Sequence, residues 1–174
     1  MTETRILLKS QYRGALAEEL DTIYIMGFDA WAGGHNLEEY LQECRNSLKY
    51  KSGRWFVLCI DGIPVSSLLI HTFESWGNLH IRGIGSVATH PEFRKRGYGH
   101  QIVHSCIKDL SIKEQTHIFL LYSDIDPGFY ESLGFVRLPL HYQRVQGSIL
   151  MAKMPLHIEI STFEKYIGKI PGYF

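Results

Sequence analysis

The apolar positions of this 174-residue chain change period several times, and each change marks an element. Arg5-Ile6-Leu7-Leu8 reads as a short first strand. Leu16, Leu20, Ile23 and Tyr24 recur at helical spacing, so a helix is expected over about residues 11–26, ended by Gly27. Gly27 to His35 reads as a loop carrying Phe28 and Trp31. Asn36, with Glu39 three residues on, has the capping-box pattern of a helix start. Leu37, Tyr40, Leu41, Cys44 and Leu48 form the stripe that this second helix would bury. From Arg54 the period shortens. Trp55–Ile60 and Val65–Phe73 read as strands joined by the turn pair Asp61-Gly62. Trp76-Gly77-Asn78 turns into a third strand, Leu79–Thr89, in which Gly83 and Gly85 signal a bulge or a close backbone approach. A helix carrying Ile102, Val103, Cys106, Ile107 and Leu110 starts just after Gly97-Tyr98-Gly99. Then come a strand at Ile118–Tyr122, a short helix from Asp126-Pro127 to Leu133 closed by Gly134, and two strands at Phe135–Leu140 and Ser148–Met154. The tail from Pro155 has no clear period. The expected architecture is α/β (α+β): one mixed, mostly antiparallel sheet of about seven strands with helices on both faces. Residues 1–154 form the domain. Residues 155–174 form a tail, whose Phe163, Tyr166, Ile167, Ile170 and Tyr173 are apolar enough to dock on the domain or on a second copy in a homodimer.

Composition narrows the function classes. The length suits a single core. Lys+Arg and Asp+Glu both number 18, so the formal net charge is zero and the basic excess of a nucleic-acid binder is missing. No apolar run has the length of a membrane span, and the first residues lack the layout of a signal peptide. Cys44, Cys59 and Cys106 are widely spaced, which suggests reduced thiols in a cytoplasmic protein rather than a disulfide framework.

The chemistry concentrates at Val87-Ala88-Thr89-His90-Pro91-Glu92-Phe93-Arg94-Lys95-Arg96-Gly97-Tyr98-Gly99-His100. Here a strand ends and a helix begins at two glycines. Glycines let backbone amides approach a ligand, and amides at a helix start are unsatisfied and favour negative charge. Three cations, Arg94, Lys95 and Arg96, stand immediately before them. The pattern describes a pyrophosphate site; the plainer alternative is a basic surface turn. A P-loop would need Lys-Ser/Thr after the glycines, where His100-Gln101 stand. A dinucleotide fingerprint would need a third glycine, where this chain has none.

Arg94-x-x-Gly97-x-Gly99, after Val87-x-Thr89-His90-Pro91, looks like the coenzyme A motif of the GNAT superfamily of acyl-CoA N-acyltransferases. Phe129-Tyr130-Glu131-Ser132-Leu133-Gly134-Phe135 looks like that superfamily's second motif, at a fitting distance downstream. The resemblance is sharpest over residues 79–136, and Gly83 to Pro91 is similar to acetyltransferases of the enhanced-intracellular-survival type. It implies an acyl-CoA N-acyltransferase fold and acetyl-CoA as co-substrate, with no metal. Val87, Ala88 and Thr89 would meet the pantetheine arm. Arg94, Lys95, Arg96, Gly97, Tyr98, Gly99 and His100 would hold the pyrophosphate. Tyr130 would protonate the leaving thiolate; the plainer role for it is packing. An asparagine that the superfamily often carries is Ser123 here. In the enhanced-survival type the terminal carboxylate serves as base, a role that would fall on Phe174.

The base is otherwise open. His80, Glu74 and His71 are the candidates. Phe28 and Trp31 are expected to wall the acceptor site, with Glu74 and His80 nearby. His100 and His104 share a helix face, without the glutamate or third ligand of a zinc site. Two readings follow: an N-acetyltransferase acting on a primary amine of a small molecule or peptide, or a non-catalytic acyl-CoA sensor with the same fold. No nucleic-acid or membrane partner is expected.

Overall fold

The computed structural model describes residues 9–174, so the strand expected at Arg5–Leu8 lies outside the described residues. Strand β1 is Ser10–Gly14, paired antiparallel with β2, and Tyr12 stacks on Phe56 across the pair. The helix expected over residues 11–26 is correspondingly shorter. A 3-10 turn at Ala17–Glu19 leads into α1, Leu20–Ile25. Pairing with β2 gives residues 10–14 backbone partners that a helix could not supply together with the Tyr12–Phe56 stack. Glu19 then fixes the entry to the turn: its carboxylate accepts from the Leu16 amide at 2.8 Å and pairs with Arg13. Inside the expected loop, Phe28–Trp31 forms the one-turn helix α2.

Helix α3, Leu37–Asn46, starts with the expected capping box. Asn36 Oδ1 accepts from the Glu39 amide at 3.1 Å, and Glu39 returns the bond to the Asn36 amide at 3.0 Å. Tyr40, Leu41 and Cys44 are buried, but Leu48 is 81% exposed. The helix stops because Ser47 is extended and re-caps a new helix, α4 (Leu48–Ser52), accepting from the Tyr50 amide. That restart leaves Leu48 in solvent and half-buries Lys49 and Tyr50.

Strands β2 (Arg54–Ile60) and β3 (Ile63–Thr72) form the expected hairpin, with Asp61 and Gly62 at φ 49° and 84°, the left-handed pair a two-residue turn requires. Strand β4 is His80–Thr89, α5 is Tyr98–Lys113, β5 is Thr116–Ser123 and α6 is Gly128–Glu131. Strand β6 pairs over Val136–Arg137 only, shorter than the Phe135–Leu140 expected, because Pro139 cannot continue the ladder. Strand β7 is Ile149–Lys153. The sheet order is β1-β2-β3-β4-β5-β7-β6, antiparallel except for β4 beside β5, which α5 connects. The expected seven-stranded mixed sheet is what forms.

Alternation along the strands separates the core. Leu58, Ile84, Phe119 and Leu121 face α5 through Ile102, Val103 and Cys106. Val57 and Cys59 face α1 and α3. Ile81, Ile118 and Leu120 face the tail, which folds back as α7 (Ser161–Lys165) and buries Phe163 and Ile170 beside Trp76. The tail thus docks on its own domain. No helix among the described residues is long and apolar enough to cross a membrane.

Candidate functional site

The loop Arg94–Gly99 carries the chain from β4 into α5. Lys95 and Gly97 are both left-handed, at φ 60° and 79°. Gly97 is the N-cap of a sixteen-residue helix and supplies no capping side chain. Left-handed residues in such a turn aim successive amides into one concavity, and the helix dipole adds to its attraction for anions. A cavity of about 410 Å³ opens against these amides, between Lys95, Tyr98 and His100 on one side and Phe129 and Tyr130 of α6 on the other. The two glycines serve different needs. A Cβ on Gly97 would meet nothing, so its positive φ is what the turn requires. A Cβ on Gly99 would stand 3.4 Å from Thr89 Oγ1 and 3.6 Å from the Phe129 ring, ordinary contact distances, so a methyl fits and only a larger side chain would crowd the site.

Arg94 lies at this loop with its guanidinium already engaged. Its Nε donates to the Thr89 carbonyl at 2.9 Å, its two terminal nitrogens grip the Asp29 carboxylate, and Nη2 reaches the Met26 carbonyl at 3.2 Å. The guanidinium in turn holds the Asp29 carboxyl below the usual carboxylate range. Arg94 therefore clamps the end of β4 to the α1–α2 corner. Lys95 and the loop amides are left open to an anion, while Arg96 lies over the Phe93 ring at 5.4 Å.

Strand β4 parts from β5 where the site begins. Their parallel pairing ends at Gly83↔Leu120, whereas β3 stays paired to β4 as far as Thr89. A register shift opposite Leu68 and Ser86 at φ 48° mark a bulge in between. Ala88 and Thr89 consequently have a strand partner on one side only, and Val87 lies at the bulge without a register partner. Gly83 and Gly85, read from sequence as a bulge or a close backbone approach, are where the tail comes close. A Cβ on Gly83 would collide with the rings of Phe174 and Phe73, and one on Gly85 would stand 3.2 Å from the Phe174 carbonyl oxygen. They clear the floor for the tail.

Tyr130 is 6% exposed and packs edge-on against Phe129 and Phe135. Burial first, and the Asp124 carboxylate second, push its phenol up to about 12. It therefore holds its proton at neutral pH. Tyr130 borders both the cavity at the loop amides and a second one of about 440 Å³, and the two share Val87, Ala88, Thr89, Arg94, Ile125 and Tyr130.

The second cavity is walled by Trp31 of α2, Lys49 and Tyr50 of α4, Tyr122 of β5, and Tyr173 and Phe174 of the tail. Asp124 sits at its edge, accepting from the Tyr173 hydroxyl at 2.6 Å and from Ser148 Oγ. Three expected acceptor-site residues are not there. Phe28 packs edge-on against Tyr40 in the helix layer. Glu74 pairs with Lys169 and anchors the tail. His80 lies at the far end of β4, bonded to the Glu114 carbonyl. His71 is buried below Gly85 with its Nε2 unpartnered, and burial followed by the Lys49 charge lowers it to about 4. Ser123 closes the turn after β5, donating to the Ile125 carbonyl at 2.9 Å. Lys49, Tyr50, Tyr122 and Asp124 were missed from sequence. Only the Ser47 break would have pointed to the first two. Among the described residues no group of three or more His, Cys, Asp or Glu could hold a metal ion.

Comparison with known proteins agrees with this fold. The fold is similar to that of the GNAT family N-acetyltransferase YhbS from Escherichia coli in complex with CoA, with TM-score 0.65, 16% identity, and coverage of 88% of this chain and 85% of that one. It is also similar to the PaiA N-acetyltransferase of Thermoplasma acidophilum in complex with coenzyme A, with TM-score 0.63, 13% identity, and coverage of 84% and 99%. A probable N-acyltransferase from Enterococcus faecalis matches with TM-score 0.60 and 19% identity over 76% of this chain, which spans 33% of that protein's length. No curated protein matches the chain by sequence. Residues 51–137 match the family model described as an acetyltransferase (GNAT) domain, and the chain belongs to the GNAT family of acetyltransferases.

Proposed function

We propose that the protein transfers an acetyl group from acetyl-CoA to a primary amine, by direct attack within a ternary complex. The observation that carries this reading is the junction of two cavities at the stretch Val87–Thr89, with Tyr130 bordering both. Acetyl-CoA would supply the thioester carbonyl that is attacked and the thiolate that leaves. The chain's own groups suit each demand. The amides of Lys95–Gly99 and the Lys95 side chain are open to the pyrophosphate, with Arg94 holding the loop in place. The unpaired side of Val87–Thr89 can hydrogen-bond the pantetheine amides, and a free amide there can donate to an oxygen that gains charge. Tyr130, kept protonated by burial, can deliver its proton to the departing sulfur. The acceptor must present a neutral nitrogen, and the second cavity would hold it against the same stretch of β4. The CoA complexes of the Escherichia coli and Thermoplasma acidophilum proteins support the choice of co-substrate.

One observation favours a second reading, an acyl-CoA sensor without turnover. The positions of β4 below the junction are Gly83 and Gly85, so no carboxylate or imidazole of that strand faces the acceptor. Calorimetric titration with acetyl-CoA, followed by release of free thiol with a broad amine panel, separates the two. Binding with thiol release supports the transferase. Binding without release by any amine supports the sensor, and absence of binding overturns both.

A further inference from the structure

The second cavity carries one charge of each sign on aromatic walls. Lys49 Nζ lies over the rings of Tyr173 and Tyr50, 5.2 and 5.8 Å from their centroids, and burial pulls its ammonium below the usual lysine range. It makes no ion pair with a described residue. Neighbouring cations are committed: Arg94 to Asp29, Lys169 to Glu74, and Arg144 to the carbonyls of Ile167 and Ile170. Holding an ammonium half out of water without a counter-charge is unfavourable, and an anionic ligand group would offset that cost. The other charge is Asp124. Tyr173 and Ser148 hydroxyls orient its carboxylate, and it does not close an ion pair with Lys49, although Lys49 feels its charge. The two charges are thus separated and both available.

Resting on the acyl-transfer reading, we propose that the acceptor is an amine that also bears a carboxylate and an apolar body, an amino-acid-like zwitterion. Lys49 receives the carboxylate, Asp124 steadies the ammonium before it loses its proton, and Trp31, Tyr50, Tyr122 and Tyr173 enclose the body. A polyamine or polycationic acceptor is disfavoured, because a second ammonium would meet Lys49. Lys49 lines only this cavity and not the coenzyme-side one, so the carboxylate subsite can be tested without turnover.

The experiment measures binding of 3-phenylpropanoate and of its uncharged analogue 3-phenylpropan-1-ol to the full chain, by tryptophan fluorescence. Wild-type protein, Lys49→Met and Lys49→Arg are compared. The expected result is roughly tenfold tighter binding of the carboxylate than the alcohol in wild type, kept by Arg and lost in Met. Equal binding of the two probes in wild type, or a carboxylate preference that survives in Lys49→Met, overturns the proposal. The urea midpoint of the Met variant serves as the check on folding. If acetyl-CoA does not bind wild type, or no amine releases thiol, it is the transferase reading that fails, and the carboxylate preference is still read independently. With an active enzyme, phenylalanine should then exceed 2-phenylethylamine in kcat/KM by a similar factor, with the advantage gone in Lys49→Met.

Discussion

The ring of Phe174 occupies the space that a side chain at Gly83 would need: a Cβ there would stand 2.5 Å from its Cε2 atom. A strand glycine and a tail residue 91 positions away in sequence are therefore one structural unit. The Phe174 ring also meets Phe73, His71 and Tyr122 edge-on, so the tail is seated on β3, β4 and β5 together.

Gly83→Ala should push the tail off this floor. Overpacking of this kind costs about 1–3 kcal/mol, and a urea titration should show it as a lower midpoint. Phe174→Ala combined with Gly83→Ala should recover part of the loss, because the collision partner is gone. Additive losses in the double variant would show that the two residues do not compete for the same space.

The loop glycines should separate by mechanism. Gly97→Ala places a side chain in open space at φ 79° and should cost about 1 kcal/mol of stability through backbone strain. Gly99→Val adds bulk between Thr89 and Phe129 at the floor of the coenzyme-side cavity. It should weaken acetyl-CoA binding by roughly tenfold or more, about 1.4 kcal/mol, with the protein still folded. A urea titration reads the first and calorimetric titration with acetyl-CoA the second, and unchanged affinity in a folded Gly99→Val variant would place the coenzyme elsewhere.

Tyr130→Phe keeps the ring that packs on Phe129 and Phe135 and removes only the hydroxyl. If the phenol is the acid, kcat should fall by roughly 10²–10⁴ while acetyl-CoA affinity changes little. Wild-type kcat under conditions where chemistry is rate-limiting would assign Tyr130 to packing alone.

His71 should make the protein acid-sensitive in a defined window. Its folded pKa of about 4 lies below the 6.5 of a free histidine, so the fold favours the neutral ring. The unfolded chain takes up the proton first as pH falls. The stability contributed by neutral His71 is therefore complete above pH 6.5 and is lost progressively down to pH 4, by about 3 kcal/mol in all. Beyond burial, the facing charge is Lys49; the rings of Phe73 and Phe174 lie against His71, and the Phe174 backbone oxygen is on the same side of Gly85 as its Nε2. Unfolding free energies of wild type and His71→Phe, measured between pH 7 and pH 4, should diverge over that window and run parallel below it. Identical slopes would sink the assignment.

Features set by neighbouring residues were legible in the chain itself. The Asn36–Glu39 box, the Asp61-Gly62 turn, the start of α5 at Gly97 and the short helix before Gly134 depend on hydrogen bonds and φ values within a few residues. The left-handed turn through Lys95 and Gly97 and the place of Tyr130 on a one-turn helix are local in the same way. Other features needed partners distant in sequence. Residues 11–14 fall inside the helix expected over about residues 11–26 from the spacing of Leu16, Leu20, Ile23 and Tyr24, yet form a strand because β2 offers a ladder and Phe56 a stacking face. Arg94 looks like a free cation, yet Asp29 and Met26 come within reach only when α1 and α2 pack beside β4. The second cavity is the extreme case. Lys49, Asp124 and Tyr173 lie on α4, the end of β5 and the tail, and no sequence period links them. Their proximity exists only after the Ser47 break, the parting of β4 from β5 and the docking of the tail on Gly83. Local backbone preferences are written in adjacent residues, whereas the composition of a cavity is decided by which surfaces the closed core leaves facing one another.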